Sequence, residues 1–382
     1  MSIPSSSSRL QSIDLLRGII MVIMAIDHVR VYSGLPAGGP EPGIFFTRWI
    51  THFCAPVFAF LAGSAAFFHG LKTTVRSLSR FLFTRGILLV ILELTVVRLG
   101  WTFNLRLDLF MLAGILWMLG WSMMVMAFLV RLKPFTVGII GLTVILVQDI
   151  FRRVPGLFSD SPQGIFARYW EFVYPSGSEG PGWIWVLYSI VPWVGVMAMG
   201  YGFGAIVNMD PARRKNLCLA VGLTAIALFV AVGSAMIALK PIGEDNRAFI
   251  FQLLDQRKYP ASALFLCMTL GPVIGLIPAA EKAKGRFVNT LRMIGSVPLF
   301  YYLIHIPLHH LSAWVVNLLR NGRTGQEWYQ TAPFSNVPPE FKWPLWCIYA
   351  VFAVNVILLY FACRWYATYK TTYTNQPWLR YV

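Results

Sequence analysis

Long apolar runs recur along the whole chain, and they most constrain what it can fold into. An α-helix of about 20 residues rises about 30 Å, which matches the hydrocarbon core of a bilayer. The composition is 57% hydrophobic, so lipid is the solvent expected for most of the surface. We predict an all-α, polytopic transmembrane bundle of about ten helices. The predicted spans are residues 15–33, 45–69, 80–100, 107–130, 134–150, 183–207, 216–239, 260–279, 294–319 and 344–366.

Basic residues divide unevenly between the two sides of this layout. With the N-terminus inside, the cytoplasmic side holds 18 of the 32 basic residues but only three of the 16 acidic ones. Short cytoplasmic loops are where membrane proteins concentrate Lys and Arg. We therefore predict a cytoplasmic N-terminal tail (1–14), a single membrane domain (15–366) and a cytoplasmic C-terminal tail (367–382). The net charge of +16 then reflects topology and does not indicate nucleic-acid binding.

Ionisable side chains within the predicted spans lie mostly toward the outer half of the membrane. Such groups are costly in lipid and usually face a cavity or one another. If they converge, they line a polar cavity open to the outside. Alternatively, Glu93 with Arg98 and Arg106 with Asp108 are local ion pairs that fix helices at the interface. The outer-half residues are Asp27, His28, His52, Glu93, Arg98, Arg106, Asp108, Asp149, His309 and His310, with His305 near the middle and Arg17 and His69 in the inner half.

The first span carries an arginine and a histidine on one helical face. From Arg17 to His28 a helix makes about three full turns and rises about 16 Å. This spacing suits a cation at the cytoplasmic mouth and a base deep in the membrane. Asp27 diverges from the adjacent histidine by about 100° around the helix, so we expect it to hold a partner on another helix.

Further histidines extend this candidate set. His52 opens the second span, and because the connecting loop is short we expect it at the depth of His28, where the two could share acid and base roles. On the ninth span His305 and His309 stand one turn apart. No carboxylate accompanies them and Pro307 disturbs the turn, so we predict no metal site. The five cysteines contain no C-x-x-C pair and predict neither a disulfide framework nor a zinc site.

Several short motifs occur at characteristic places in the spans. Together they resemble the catalytic domain of heparan-α-glucosaminide N-acetyltransferase, and most closely the bacterial branch of that family. In the wider superfamily of membrane acyltransferases, ten residues separate an Arg from a His on the first helix, and Arg17 and His28 match this spacing. The motifs are Arg9-x-x-Ser12-Ile13-Asp14-x-x-Arg17-Gly18, Pro56-x-Phe58-x-Phe60-x-x-Gly63-Ser64, Tyr188-x-x-x-Pro192-Trp193-x-Gly195-Val196-Met197, Lys258-Tyr259-Pro260, Leu270-Gly271-Pro272 and Gly295-x-x-Pro298-Leu299-Phe300-Tyr301-Tyr302-x-x-His305.

The resemblance implies a multi-pass protein of the cell inner membrane that moves an acetyl or other acyl group. The donor it implies is cytoplasmic acyl-CoA, such as acetyl-CoA, and the acceptor is a carbohydrate or lipid on the far side. The heparan enzyme has its active-site histidine in the loop between the first two helices, whereas residues 33–44 here contain none. The candidate catalytic residues are therefore His28 as first choice, with Asp27, His52 and His305.

The phosphates of CoA require cations on the cytoplasmic side. The resemblance assigns Arg17 to them, and Lys72 and Arg76 of an inner loop are further candidates because cationic donors suit phosphate oxygens. For the two loop residues the alternative is simple topology control. The oligomeric state is not predicted.

Two other functions stay open at this stage. A proton-coupled transporter or flippase without acyl chemistry would use the buried charges as a proton relay. A structural or assembly protein would leave the polar cavity unexplained. The outer segments 151–182 and 320–343, rich in Pro, Gly and aromatic residues, are either acceptor-binding lids or interfacial anchors.

Overall fold

The computed structural model describes residues 6–36, 41–158, 163–241, 243, 245–331, 336–373, 375–376 and 379. Helices account for most of these residues. Their bounds are α1 Ser6–Tyr32, α2 Pro42–Trp49, α3 Cys54–Gly70, α4 Val75–Leu92, α5 Arg98–Thr102, α6 Ile115–Leu129, α7 Pro134–Leu146, α8 Ile165–Trp170, α9 Trp193–Val207, α10 Pro211–Ala238, α11 Phe249–Leu254, α12 Ala263–Lys282, α13 Arg286–Gly295, α14 Pro298–Asn321 and α15 Leu345–Thr372.

Shorter elements connect these helices. Strands β1 (Leu112–Ala113) and β2 (Trp185–Val186) pair in parallel, with Leu112 opposite Trp185. A π-helical turn, Glu93–Val97, joins α4 to α5. The 3₁₀ segments are Ile50–Phe53, Gln148–Arg153, Pro155–Leu157, Gln326–Trp328 and Pro339–Phe341.

Apolar helices of membrane-spanning length confirm the all-α, multi-pass membrane class. Among the described residues, five helical stretches are long and apolar enough to cross a bilayer. Three shorter helices, α6, α7 and α9, are also apolar. The count of about ten spans and the cytoplasmic position of both termini stay predictions. The five stretches are Pro42–Gly70, Pro211–Ala238, Ala263–Lys282, Pro298–Asn321 and Leu345–Thr372.

Two predicted spans begin later than their apolar runs. The run 107–130 becomes helical only at Ile115, and the run 183–207 only at Trp193. In both cases the residues before the helix include a short strand, β1 or β2, whose backbone is extended. Apolar content alone does not distinguish a buried strand from the start of a helix, which is why the two boundaries were placed too early.

By internal contacts the chain forms two compact units. Unit 1 comprises Met1–Cys54, Thr95–Phe110 and Ala280–Val382. Unit 2 comprises Ala55–Leu94 and Met111–Ala279. Unit 1 therefore contains α1, α2, α5, α13, α14 and α15, and it holds most of the candidate site residues.

In unit 1, glycines allow α1 and α13 to pack with their backbones nearly in contact. A Cβ on Gly18 would lie 1.9 Å from the carbonyl oxygen of Leu291, and one on Gly295 would lie 1.9 Å from that of Asp14. Any larger residue at either position would force the helices apart. In the Arg17-Gly18 motif, Gly18 thus allows close helix packing and Arg17 supplies a charge.

In unit 2, α3 and α9 approach each other in the same way. A Cβ on Gly63 would lie 1.9 Å from the Met197 carbonyl oxygen, and one on Gly200 would lie 2.0 Å from that of Phe60. The Ser64 hydroxyl donates to the Gly200 carbonyl at 2.9 Å. Small residues and a hydroxyl are the usual means of close helix packing in lipid.

Candidate active site

Two histidines from distant parts of the chain meet in unit 1. His28 near the end of α1 and His305 in α14 bring Nδ1 and Nε2 to 2.6 Å of each other. Their rings are stacked, with centroids 4.8 Å apart and planes 29° apart. His305 has no exposed surface. A nitrogen-to-nitrogen hydrogen bond requires one ring to donate and the other to accept through an unprotonated nitrogen.

A backbone carbonyl fixes which ring donates. His305 Nδ1 lies 2.6 Å from the carbonyl oxygen of Tyr302, and a carbonyl oxygen only accepts. His305 Nδ1 therefore carries a proton, and its Nε2, in the neutral ring, accepts from His28 Nδ1–H. A neutral His28 that is protonated on Nδ1 has its lone pair on Nε2. This is the tautomer that a general base needs.

Aromatic and polar side chains surround the pair. Trp101 of α5 meets the ring of His28 edge-on, with centroids 5.1 Å apart. On either side of His305 in α14 lie the rings of Tyr301, at 5.6 Å, and His309, at 5.4 Å. The site is therefore built from one face of α14, the C-terminal half of α1 and the short helix α5.

Two buried polar atoms beside His305 lack protein partners. His309 is 1% exposed, and the amide nitrogen of Asn355 in α15 donates to its Nδ1 at 2.8 Å. Within the described residues, His309 Nε2 and the Tyr301 hydroxyl make no hydrogen bond. Buried polar groups normally bind protein or water, so these two atoms mark a place for a polar ligand or an ordered water.

Asp27 is held between two arginines. Its Oδ1 accepts from Arg30 Nη2 at 2.9 Å, and its Oδ2 accepts from Arg48 Nη1 of α2 at 3.2 Å. Arg48 is thus the partner on another helix that we expected. The Arg30 side chain also donates to the Leu35 carbonyl at 2.8 Å. With its carboxylate shared by two guanidinium groups, Asp27 fixes the end of α1 next to His28.

Arg17 lies toward the start of α1, on the same helical face as His28. Its Nη1 donates to Asp14 Oδ1 and to the carbonyl oxygen of Gly295, both at 3.1 Å. Its side chain is 15% exposed. The glycine contacts described above bring the Gly295 carbonyl within reach. Among the described residues, only this nitrogen of the guanidinium has a protein acceptor.

The remaining sequence candidates lie elsewhere. His52 is in the 3₁₀ turn Ile50–Phe53, where its Nδ1 donates to the Arg48 carbonyl at 3.1 Å. Lys72 and Arg76 are exposed in unit 2, with Lys72 in the turn between α3 and α4 and Arg76 in the first turn of α4. The structure joins His28 to His305, and the shared role of His28 and His52 stays a prediction.

The two proposed local ion pairs have different outcomes. Arg106 and Asp108 do pair, at 2.7 Å, on the surface. Glu93 is 1% exposed and instead accepts the backbone N–H of Leu116 at 2.7 Å, which caps the start of α6. Arg98 donates to the Phe110 carbonyl at 3.0 Å.

An aromatic layer anchors the segment that follows α14. The ring of His310 stacks on Phe103, with centroids 3.9 Å apart, and its Nε2 lies 2.9 Å from Gln326 Oε1. Gln326 Nε2 donates to the backbone carbonyl of Thr102 at 2.8 Å. The Tyr329 hydroxyl donates to the backbone carbonyl of Tyr32 at 2.9 Å. The segment that follows α14 is therefore bonded to the C-terminal ends of α1 and α5.

Sequence reasoning missed several residues of the site. Asn355 is the one amide in the middle of an apolar span, and a search for ionisable groups alone passes over it. Trp101 carries no signal among so many aromatic residues.

Within the described residues, no group of three or more His, Cys, Asp and Glu side chains is arranged to hold a metal ion.

Comparison with known proteins agrees with the motifs and the fold. The family model described as heparan-alpha-glucosaminide N-acetyltransferase, catalytic, matches residues 9–239, more than half of the chain. The matched region includes Arg17 and His28, whereas His305 lies beyond it. No curated protein matches the sequence. The apolar helices agree with a membrane protein of this kind. Because the match covers more than half of its length, the chain belongs to the heparan-alpha-glucosaminide N-acetyltransferase catalytic family, whose members are membrane acetyltransferases.

Proposed function

We propose that this protein transfers an acetyl or other acyl group from cytoplasmic acyl-CoA to a sugar, glycan or lipid acceptor on the outer side of the cell inner membrane. The family supports acetyl transfer in general. The observation that carries the proposal is the hydrogen bond from His28 Nδ1 to His305 Nε2, because it gives His28 of α1 the tautomer that a general base needs.

In the proposed reaction, His28 Nε2 takes the proton of the acceptor hydroxyl or amine as the acceptor atom attacks the thioester carbonyl. A bond forms between the acceptor and the acyl carbon, and the bond from that carbon to sulfur breaks. The CoA thiolate leaves and takes the proton from His28, which regenerates the neutral ring. A positioned general base contributes about 10²–10⁴-fold to such a rate. A variant of this scheme, in which His28 carries the acyl group before passing it on, uses the same nitrogen.

We assign His305 and Asp27 to positioning rather than to the reacting atoms. His305 accepts from His28 Nδ1 both before and after the proton arrives at Nε2, so it stabilises the imidazolium ion that forms. Asp27 holds the end of α1 through Arg30 and Arg48. The orphaned atoms of His309 and Tyr301 mark where a polar group of the donor or the acceptor binds.

We further propose that Arg17 binds a phosphate of CoA at the cytoplasmic end of this face. Its guanidinium is already oriented by Asp14 and Gly295, which reduces the entropy lost on binding. Lys72 and Arg76 are exposed cations that we propose as further contacts for the nucleotide.

Labelled acetyl transfer tests the proposal. Membranes or proteoliposomes with the wild-type protein and an envelope extract should transfer label from acetyl-CoA into an envelope product. His28→Ala should reduce the transfer by about 10²-fold or more. His69→Ala is the matched control, because His69 is a histidine of unit 2 whose ring packs on Phe81.

Two results would contradict the proposal. Normal transfer by His28→Ala would exclude the assigned base. Failure of acetyl-CoA to raise the melting temperature of the wild-type protein, together with proton-dependent substrate movement, would favour a transporter, since a proton-driven carrier has no need to bind CoA.

A further inference from the structure

Lys258 lies in unit 2, in the segment between α11 and α12, and the proposed acyl transfer does not use it. The residue is only 7% exposed. Its Nζ lies 5.3 Å from the ring centroid of Tyr259 and 6.0 Å from that of Tyr188. The two tyrosine rings meet edge to face, 5.2 Å apart and at 83°. The ammonium group therefore lies against two aromatic walls.

Among the described residues, no carboxylate pairs with the ammonium group of Lys258. In the part of the chain that the structure describes, its Nζ makes no hydrogen bond and no ion pair. The neighbouring Arg257 is matched, because it pairs with Asp149 at 3.3 Å. An ammonium has three N–H donors, and ring faces are weak acceptors. The ammonium group of Lys258 can therefore donate to a further acceptor, and an anion would also match its charge.

The backbone on either side holds Lys258 in this position. Gln148 Nε2 donates to the Ala261 carbonyl at 3.1 Å, and the Ser262 N–H donates to the Arg257 carbonyl at 2.9 Å. Lys258 and Ala261 also form an isolated antiparallel bridge. Lysines at a membrane surface usually extend their ammonium into water, whereas this one is folded inward between rings. The site is therefore built into the loop.

The position of Lys258 along the chain indicates what kind of anion its ammonium group would bind. The membrane span Ala263–Lys282 begins shortly after Lys258, so the ammonium lies near the end of a span, where lipid headgroups meet water. Tyr259 is 38% exposed and leaves one side open to the surroundings. The hydroxyl of Tyr259 donates to the hydroxyl of Tyr188 at 3.4 Å, which holds the two rings together.

We propose that Lys258, Tyr188 and Tyr259 bind the phosphate of an anionic lipid headgroup. The ammonium supplies the charge and the N–H donors for the phosphate oxygens, and the two tyrosine rings form the walls of the site. The site is independent of the proposed acyl transfer, because it contains none of the residues assigned to that reaction.

Binding of short-chain lipids to the purified full-length protein tests this site. The probes are phosphatidic acid, phosphatidylcholine with the same acyl chains, and inorganic phosphate, each measured by native mass spectrometry and by melting temperature without acyl-CoA. Phosphatidic acid should bind the wild-type protein more tightly than the other two. Lys258→Gln should weaken its binding about 10- to 100-fold, as expected for a lost charged hydrogen bond, while Lys258→Arg retains most of it. Lys240→Gln, which removes an exposed lysine of the same unit, should have no effect.

Each other outcome overturns the proposal. Equal binding of phosphatidic acid by the wild-type protein and Lys258→Gln would exclude Lys258 as the site. Binding of inorganic phosphate as tight as that of phosphatidic acid would exclude a lipid as the ligand. If Lys258→Gln does not fold, Tyr259→Leu replaces it, because this half-exposed ring is removable without burying a new charge, and unchanged lipid binding in that variant refutes the site.

Discussion

Replacing His305 with leucine tests whether His305 positions the base. The variant removes the acceptor for His28 Nδ1–H at the end of a 2.6 Å hydrogen bond, and His305 has no exposed surface through which water would replace it. An unsatisfied buried donor costs about 1–3 kcal/mol. If this cost falls on the transition state, it corresponds to about 5- to 150-fold in rate.

The assay separates a catalytic loss from a binding loss. We expect kcat for acetyl transfer to fall about 10²-fold in His305→Leu while KM for acetyl-CoA changes little, because the donor's phosphates do not contact His305 in our account. His305→Gln should recover part of the rate, since its side-chain oxygen can accept from His28 Nδ1. A structural defect would not be relieved in this selective way.

A buried histidine of the same helix provides the matched control. His310 contacts Gly100 and Gln326 and takes no part in the proposed proton transfer. His310→Leu should lower the melting temperature but leave kcat of the folded protein within about threefold of wild type. A wild-type kcat in His305→Leu, or an equal loss of kcat in His310→Leu, would refute the positioning role.

Three further predictions address packing, donor binding and pH. Gly295→Ala should destabilise the protein by about 1–3 kcal/mol through its backbone contact with α1, whereas Gly275→Ala, whose Cβ meets nothing within 4 Å, should not; thermal unfolding in detergent checks both. Arg17→Gln should raise KM for acetyl-CoA about 10- to 100-fold in steady-state kinetics and leave kcat at saturating donor largely unchanged, and an unaltered KM would contradict its phosphate contact. Hydrogen bonds from Arg247 hold the pKa of Asp245 at about 2, below its usual 3.8, so this pair stabilises the fold above about pH 4 and the effect is lost as the pH falls toward 2. Arg247→Gln should therefore lower the melting temperature slightly near pH 6 and not at pH 2, and a difference that persists at pH 2 would be inconsistent with this pair.

Two features near His28 could be inferred from local helix geometry. The shared face of Arg17 and His28 follows from spacing within one helix, and so does the need of Asp27 for a partner elsewhere. Neither inference requires knowledge of which helices are neighbours. The apolar runs gave the helical class for the same reason, because length and hydropathy are local properties.

The partner of His28 is a non-local property. His28 and His305 are 277 residues apart, and nothing in the periodicity of a single sequence says that α1 meets α14. A short loop made His52 the expected neighbour, yet loop length constrains depth and not the direction in which a ring points. The glycine contacts of Gly18 and Gly295 bring α13 against α1, just before α14 begins, and they are visible only once the helices are packed.

The partner of a buried polar side chain is also hard to predict when that partner is a backbone group. Glu93 was expected either in an outward cavity or beside Arg98, but it caps α6 through the Leu116 N–H. The π-helical turn in which it lies displaces the register of the helix, so helix periodicity from α4 does not carry through to α5. Gly114 precedes α6 and has no side chain that could cap the helix, so the sequence near α6 does not show how its first N–H groups are bonded.

A structure of the protein with acetyl-CoA bound tests the central claim most directly. Our account predicts that the CoA phosphates lie against Arg17 and that the thioester carbonyl lies close enough to His28 Nε2 for an acceptor atom to fit between them, with reacting atoms about 3–3.5 Å apart. It also predicts that the bond between His28 and His305 persists. Acetyl-CoA bound away from the face that joins Arg17 to His28, or a thioester out of reach of His28, would contradict the assignment of both donor and base.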